Sequence, residues 1–300
     1  MSQASTTDGT VSASDRPKGT FEQIVGSIAL IRESPVGLIG LILVVMFAFV
    51  AIFAPLLAPF SYDDYIQPFA APMTATDSGT MILGADHKGR DILSRLIYGT
   101  QRVFFYASLA TACAYVVGIL MGLAAGYFRG WVDEVLSFLA NVILSFPVMV
   151  LFVLIITTVG ASGATIVFAV VFASAPGIMR IVRGLTLDIA TRDYIAAAQT
   201  RGESPWYIML VELLPNARGP LIVDACLRMG YTTITIGALG FLGLGLPPPF
   251  PDWGGMINET RTLAMGGFWW MSFFPALAVS LLVLGFNLLA DGLREVSLRD

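Results

Sequence analysis

Charge is what this 300-residue chain has least of. Asp, Glu, Lys and Arg together make up 13% of it, where a soluble domain carries about 25%. An ordinary water-facing surface cannot be built from so little. Lysine is almost absent: only Lys18 and Lys88 occur, and neither follows a glycine. The pattern Gly-x-x-x-x-Gly-Lys-Ser/Thr is therefore missing, and the chain has no usual cradle for ATP phosphates. Histidine is represented once, by His87. A single imidazole argues against a His-dependent hydrolase triad, and beside Asp86 and Asp91 it makes a poor metal site. The two cysteines, Cys113 and Cys226, sit in apolar stretches. They imply no disulfide framework and read as small core residues. The net charge of -4 is small and the basic residues are dispersed, so no stripe for nucleic acid is present.

Apolar residues fill the space that charge leaves, at 56% of the chain. No Asp, Glu, Lys or Arg occurs over 34–62, 103–128, 135–179, 229–251 or 262–290. A bilayer core of about 30 Å needs about 20 apolar residues per helix, and the run 135–179 is long enough for two, with a turn at Gly160-Ala161-Ser162-Gly163. A further helix begins near Gly219, interrupted by Asp224 and Arg228. This predicts an all-α integral membrane protein with six transmembrane helices, near 36–58, 101–126, 136–158, 164–183, 219–245 and 271–291. The runs are continuous rather than alternating, which favours helices over barrel strands. Buried helices of a large soluble protein would need a covering that the rest of the chain cannot supply.

Six spans put both termini on one side. If that side is the cytoplasm, the inner segments hold eleven basic residues and the outer segments four, in agreement with the positive-inside rule. Residues 1–33 are polar and rich in Ser and Thr, and they read as a disordered cytoplasmic tail rather than a signal peptide. The membrane domain is expected over 34–297.

Three connecting segments are long enough to suggest function: 59–100 and 246–270 outside, and 184–218 inside. In the inner one, Asp193 suits the cap of a helix through Tyr194, Ala196, Ala197 and Ala198. Gly202 fits the left-handed residue that ends it. Ser204 and Pro205 start a second short helix, which Leu214-Pro215-Asn216 is expected to close. Pattern alone is equally met by an ordinary amphipathic connector.

The residues of this loop carry a resemblance. Ala196-Ala197-Ala198, then Gly202, then Leu214-Pro215 resemble the Glu-Ala-Ala loop of bacterial ABC importer permeases, with Ala196 where that family has its acidic residue and Glu212 ahead of Leu-Pro. Leu83-Gly84-Ala85-Asp86-His87-Lys88-Gly89-Arg90-Asp91, the glycine-rich Gly240-Phe241-Leu242-Gly243-Leu244-Gly245 with Pro251-Asp252-Trp253-Gly254, and Phe286-Asn287-Leu288-Leu289-Ala290-Asp291-Gly292 resemble the dipeptide/oligopeptide/nickel permeases, in particular their shorter, C-type chain. The resemblance spans roughly residues 34–297. It implies the type I permease fold in a bacterial inner membrane. It also implies a second homologous permease, two cytoplasmic ATPase subunits that hold ATP and Mg, and an external substrate-binding protein. This chain itself would be neither an enzyme nor a cofactor binder. The implied cargo is a di- or oligopeptide, with nickel or another metal chelate, glutathione and oligosaccharide as alternatives. The loop residues Asp193, Tyr194, Ala196, Ala197, Ala198, Gly202, Ser204, Pro205, Leu214 and Pro215 would couple it to the ATPase.

Other positions stay open between two readings. Asp224 and Arg228 lie four apart on one helix face, as a structural pair or as a polar lining of the path. Thr232, Thr233 and Thr235 line that path or bond to neighbouring helices. Asp252, Trp253 and Asn258 touch an external partner or shape a re-entrant cap. Pro147, Pro176 and Pro275 are placed to kink their helices. An ion-driven secondary transporter would show inverted repeats and charges at mid-membrane, and a membrane-bound hydrolase a catalytic cluster within the spans. No obvious repeat and no such cluster is visible.

Overall fold

The computed structural model describes residues 34–297, so the expected N-terminal tail lies outside the described residues. Helix α1, Pro35–Ile52, starts with Ser34 accepting a hydrogen bond from Gly37 N at 3.3 Å and with a proline in its first turn, the position where a missing N–H costs nothing. A short helix α2, Ala54–Leu57, follows. The first external segment then forms a hairpin, β1 Thr74–Thr76 with β2 Gly79–Met81, antiparallel with Ala75 opposite Thr80.

Helix α3, Ile92–Phe128, begins nine residues before the expected 101. Asp91 sets the start, accepting from Ser94 N and Ser94 Oγ at 2.7 Å each. Next come α4, Gly130–Leu144, and α5, Val148–Val159. The stretch expected as one span over 136–158 is thus broken, and its two halves meet at 87°. Pro147 is the cause: it removes a backbone donor and pushes Phe146 out of the helical region. Helix α6, Gly163–Ile189, keeps Pro176 inside without breaking.

Helix α7 is Asp193–Thr200. Its cap is Arg192, with Asp193 as the first helical residue, so the helix begins one residue earlier than expected. Helix α8, Pro205–Tyr207, passes through a π-helical turn, Ile208–Leu213, into α9, Leu214–Phe241. The expected stop at Leu214-Pro215-Asn216 is not a stop. Leu214 N reaches back to Met209 O across the wider turn, and Pro215, which has no N–H to give, falls in the first turn of α9. Helices α10, Trp253–Met265, and α11, Trp270–Ser297, complete the chain.

Four helices, α1, α3, α6 and α11, are each long and apolar enough to cross a membrane, and the bent pair α4–α5 makes a fifth candidate. Helix α9 is continuous, but its apolar run is interrupted by Asp224 and Arg228. The packing is the reverse of a soluble protein's. On α1 the large side chains Ile39, Ile42, Val45 and Phe49 are exposed, while Gly37 and Gly40 are buried against α11. A Cβ on Gly40 would strike the backbone of Leu288 and Leu289. Small residues inside and bulky ones outside suit helices bathed in lipid tails.

The most extensive helix contact joins α3 to α6. Gly118, Gly122 and Gly126 repeat every four residues on α3, and a Cβ on each would lie 2.6, 2.5 and 2.6 Å from the Cβ of Ile178, Val182 and Thr186. Nothing but hydrogen fits there. Gly122→Ala is expected to cost about 1–3 kcal/mol through overpacking, read as a lower melting temperature in detergent. Gly184→Ala, with nothing within 4 Å of the new Cβ, should leave stability unchanged or raise it by up to about 1 kcal/mol.

Candidate functional site

Three regions hold the residues singled out in the sequence. The first is a knob over 193–213. Gly202 adopts φ 77°. Gly202 N donates to Gln199 O at 3.0 Å and Glu203 N to Ala198 O at 3.2 Å, the paired bonds that close a helix on a left-handed glycine. Ser204 then caps α8, accepting from Tyr207 N at 3.3 Å. Ile195, Ala198, Ile208, Met209 and Leu213 turn inward onto Leu123, Ile189 and Ala217. Trp206 and Tyr207, with Leu210 and Val211, remain exposed at one end of the molecule. Ala196 and Ala197 are exposed as well, so the absent acidic side chain breaks no contact inside the chain. Arg201 Nη2 lies 3.7 Å from Glu212 Oε1, linking the end of α7 to the π turn.

The second region is a cavity of about 350 Å³ between α3, α5, α6 and α9. Thr111, Ser174, Arg228, Thr232 and Thr235 line it with the apolar Val148, Met149 and Phe152. The break at Pro147 serves this cavity, because it turns the start of α5 into the wall. Of the five α9 positions expected to line a path, Arg228, Thr232 and Thr235 line this cavity. Thr233 is fully buried and donates to Met229 O at 2.8 Å. Asp224 sits behind Arg228 and accepts from Arg228 Nε at 2.7 Å. Its same oxygen, Oδ2, also accepts from the Tyr115 hydroxyl. Thr111 Oγ1 donates to Thr232 Oγ1 at 3.1 Å, joining α3 to α9.

The third region lies at the opposite end of α9 from the knob. Asp252 caps α10, accepting from Gly255 N at 2.8 Å, and is buried against Gly240 and Gly245. Trp253 is fully buried. Its Nε1 donates to Leu96 O at 3.2 Å, its ring sits where Gly99 has no side chain, and Phe47 meets it edge-on at 6.0 Å. Both side chains are buried, and Asp252 forms part of the wall of a polar cleft. Asn258 lines a polar cleft of about 150 Å³ with Arg90, Arg95 and Glu259.

That cleft rests on an ionic network that sequence reasoning did not assemble. Arg90 Nε donates to Asp86 Oδ2 and Arg90 Nη2 to Glu259 Oε2, both at 2.7 Å. Asp86 Oδ1 accepts from Lys88 N and Arg90 N at 2.9 and 3.0 Å. Oxygens of Asp86 and Glu259 and a nitrogen of His87 lie within 4.8 Å of one another, but the Arg90 guanidinium already bridges the two carboxylates, so the cation is built in. Burial pushes the Asp91 carboxyl above the usual range, against the pull of its Ser94 bonds, and raises Asp252 in the same way, against Gly255 N–H and Arg95. The charges are visible at 86–95 in the sequence. Their partner on α10, 169 positions from Arg90, is not.

Comparisons with known proteins come from independent directions. Residues 114–299 match the family described as "Binding-protein-dependent transport system inner membrane component". Residues 30–73 match the "N-terminal TM domain of oligopeptide transport permease C". The chain is 36% identical over 260 residues to the dipeptide transport system permease protein DppC of Escherichia coli K12, covering 86% of each chain. It is 35% identical over 257 residues to the glutathione transport system permease protein GsiD of Pectobacterium atrosepticum, covering 85% of this chain and 84% of the relative. A solved structure of the MetNI methionine ABC transporter in an inward-facing conformation aligns with a TM-score of 0.56 at 19% identity, over 67% of this chain and 96% of that one.

The ionic network gives a graded expectation. Asp86→Asn leaves the buried Arg90 with a lost partner and is expected to cost about 3 kcal/mol. Lys88→Ala removes a half-exposed pair at 3.8 Å and should cost less than about 1 kcal/mol. Thermal unfolding of the detergent-purified chain reads both.

Proposed function

The chain belongs to the family of binding-protein-dependent transport system inner membrane components, and on that premise we propose that it forms half of the translocation path of an ATP-driven importer of di- or oligopeptides. Six spans are completed by counting α4–α5 as one and α9 as another, with both termini in the cytoplasm. A second, homologous permease supplies the other half. Two ATPase subunits, which bring ATP and Mg, engage the 193–215 knob through Trp206, Tyr207, Leu210 and Val211. An external binding protein delivers the cargo at the far end. Relatives named for dipeptide and glutathione transport support a peptide cargo, glutathione being itself a tripeptide.

One observation carries this reading. The knob is not a loop hung between two spans. Through α8, the π turn and α9 it is one uninterrupted helical run over 205–241, and that run also supplies the polar wall of the central cavity. A push on the knob therefore reaches the cavity along continuous helix, through the π turn and past Pro220. A permease needs such a link, because the energy is released in a different subunit.

The test is uptake by proteoliposomes holding the complete transporter, with its binding protein and a labelled dipeptide. Uptake is expected to require ATP and to persist without any ion gradient. Uptake that ignores ATP and follows an ion gradient would overturn the importer reading. Gly202→Val forces a β-branched side chain into the left-handed region, at about 1–2 kcal/mol. The dipeptide imported per ATP hydrolysed is expected to fall roughly tenfold; unchanged coupling would remove the knob from the mechanism.

A further inference from the structure

Arg228 is held in an unusual way for a charge placed among apolar helices. A guanidinium paired with a carboxylate commonly donates two parallel hydrogen bonds. Here only Nε is used, to Asp224 Oδ2 at 2.7 Å. That oxygen also takes the Tyr115 hydroxyl, which fixes the carboxylate from behind and draws part of its charge away from Arg228. The Tyr115 hydroxyl also lies beside the guanidinium, and beyond these two neighbours neither terminal amine, Nη1 or Nη2, makes a hydrogen bond among the described residues. They lie over Gly177, whose hypothetical Cβ would be 3.5 and 3.4 Å from them. Gly177 sets no side chain against the end of the guanidinium, and Arg228 is itself part of the wall of the cavity of about 350 Å³. No other charged side chain lines that cavity; the remaining polar lining is hydroxyl, from Thr111, Ser174, Tyr231, Thr232 and Thr235.

Leaving two donors of a costly charge uncommitted is wasteful for a purely structural pair, which gains by using the whole fork. It suits a charge that waits for an anion. The open end of a guanidinium offers two parallel N–H donors at the spacing of the two oxygens of a carboxylate. A cavity with one cation and several hydroxyls fits a solute that has one carboxylate and further hydrogen-bonding groups.

We propose that the Nη amines of Arg228 bind the free carboxylate of the peptide in transit, with Asp224 and Tyr115 as positioning residues and Gly177 as the seat that keeps the amines open. This rests on the importer reading above and adds to it the chemical group recognised inside the membrane. The bond is temporary by design. Asp224 remains in place to repair the charge balance of Arg228 once the peptide leaves.

The experiment uses the assembled transporter in nanodiscs, without binding protein, dialysed to equilibrium against labelled Ala-Ala or its C-terminal amide. The acid is expected to be retained roughly tenfold or more over the amide, the effect of losing hydrogen bonds to a charged group. Arg228→Gln should abolish that preference, and Arg228→Lys should keep part of it. Gly177→Leu should lower it while leaving the charge in place, and Thr235→Val should lower retention of acid and amide alike. Equal retention of acid and amide by the unaltered complex, or a preference that survives Arg228→Gln, overturns the proposal. So does ATP-driven uptake of Ala-Ala by a complex that retains no peptide when the binding protein is absent, and in that case the importer reading stands. Failure of ATP-driven uptake itself is the separate result that removes the importer reading.

Discussion

The close approach of α3 and α6 is the constraint on which the rest depends. Helices in lipid gain nothing from hiding apolar surface from water, since the tails outside are as apolar as the side chains inside. They associate through tight packing and hydrogen bonds, and Gly118, Gly122 and Gly126 provide the tight packing. With the two backbones pressed together there, Tyr115 and Thr111, on the same helix as the glycines, reach Asp224 and Thr232 of α9. Farther along α3, Arg95 is set 3.9 Å from both Asp86 and Glu259, in the ionic network of the opposite end. A thicker contact would displace both sites at once.

Much of this was legible in the sequence because hydropathy reports the cost of transferring a segment into lipid. The apolar runs give the rough position of five of the six expected spans, four as single helices and one as the bent pair α4–α5. They say nothing of direction, so the 87° turn at Pro147 is hidden inside a run that reads as one span. The same scale fails at Pro215. A proline after a leucine reads as a stop, yet the π turn over Ile208–Leu213 absorbs its missing donor and lets the helix continue. Capping signals fared better at Gly202 and Ser204, where the chemistry is local, and one residue out at Asp193, where Arg192 takes the cap position.

The candidate site was legible in part for the same reason. Thr232, Thr233 and Thr235 are equivalent by composition. On a helix they are separated by steps of about 100°, and the packing of α9 decides which of them meets the cavity. Trp253 stood open between an external contact and part of a re-entrant cap. What decides its fate is the absence of a side chain at Gly99, far away in sequence. The network of Asp86, Arg90 and Glu259 escaped notice because an ion pair across 169 positions leaves no periodicity to read.

The helical run over 205–241 has a mechanical consequence. At about 1.5 Å per residue it is a rod of roughly 50 Å, with the knob at one end and the glycine-lined seat of Asp252 at the other. The central cavity lies against residues 228–235, about three quarters of the way along from the knob. A rod that pivots there is a lever with unequal arms: tilting it by about 10° carries the knob end roughly 7 Å and the far end roughly 2–3 Å in opposite directions. Closing one mouth of the path and opening the other then become a single displacement of one continuous helical run, with the larger movement on the side of the knob.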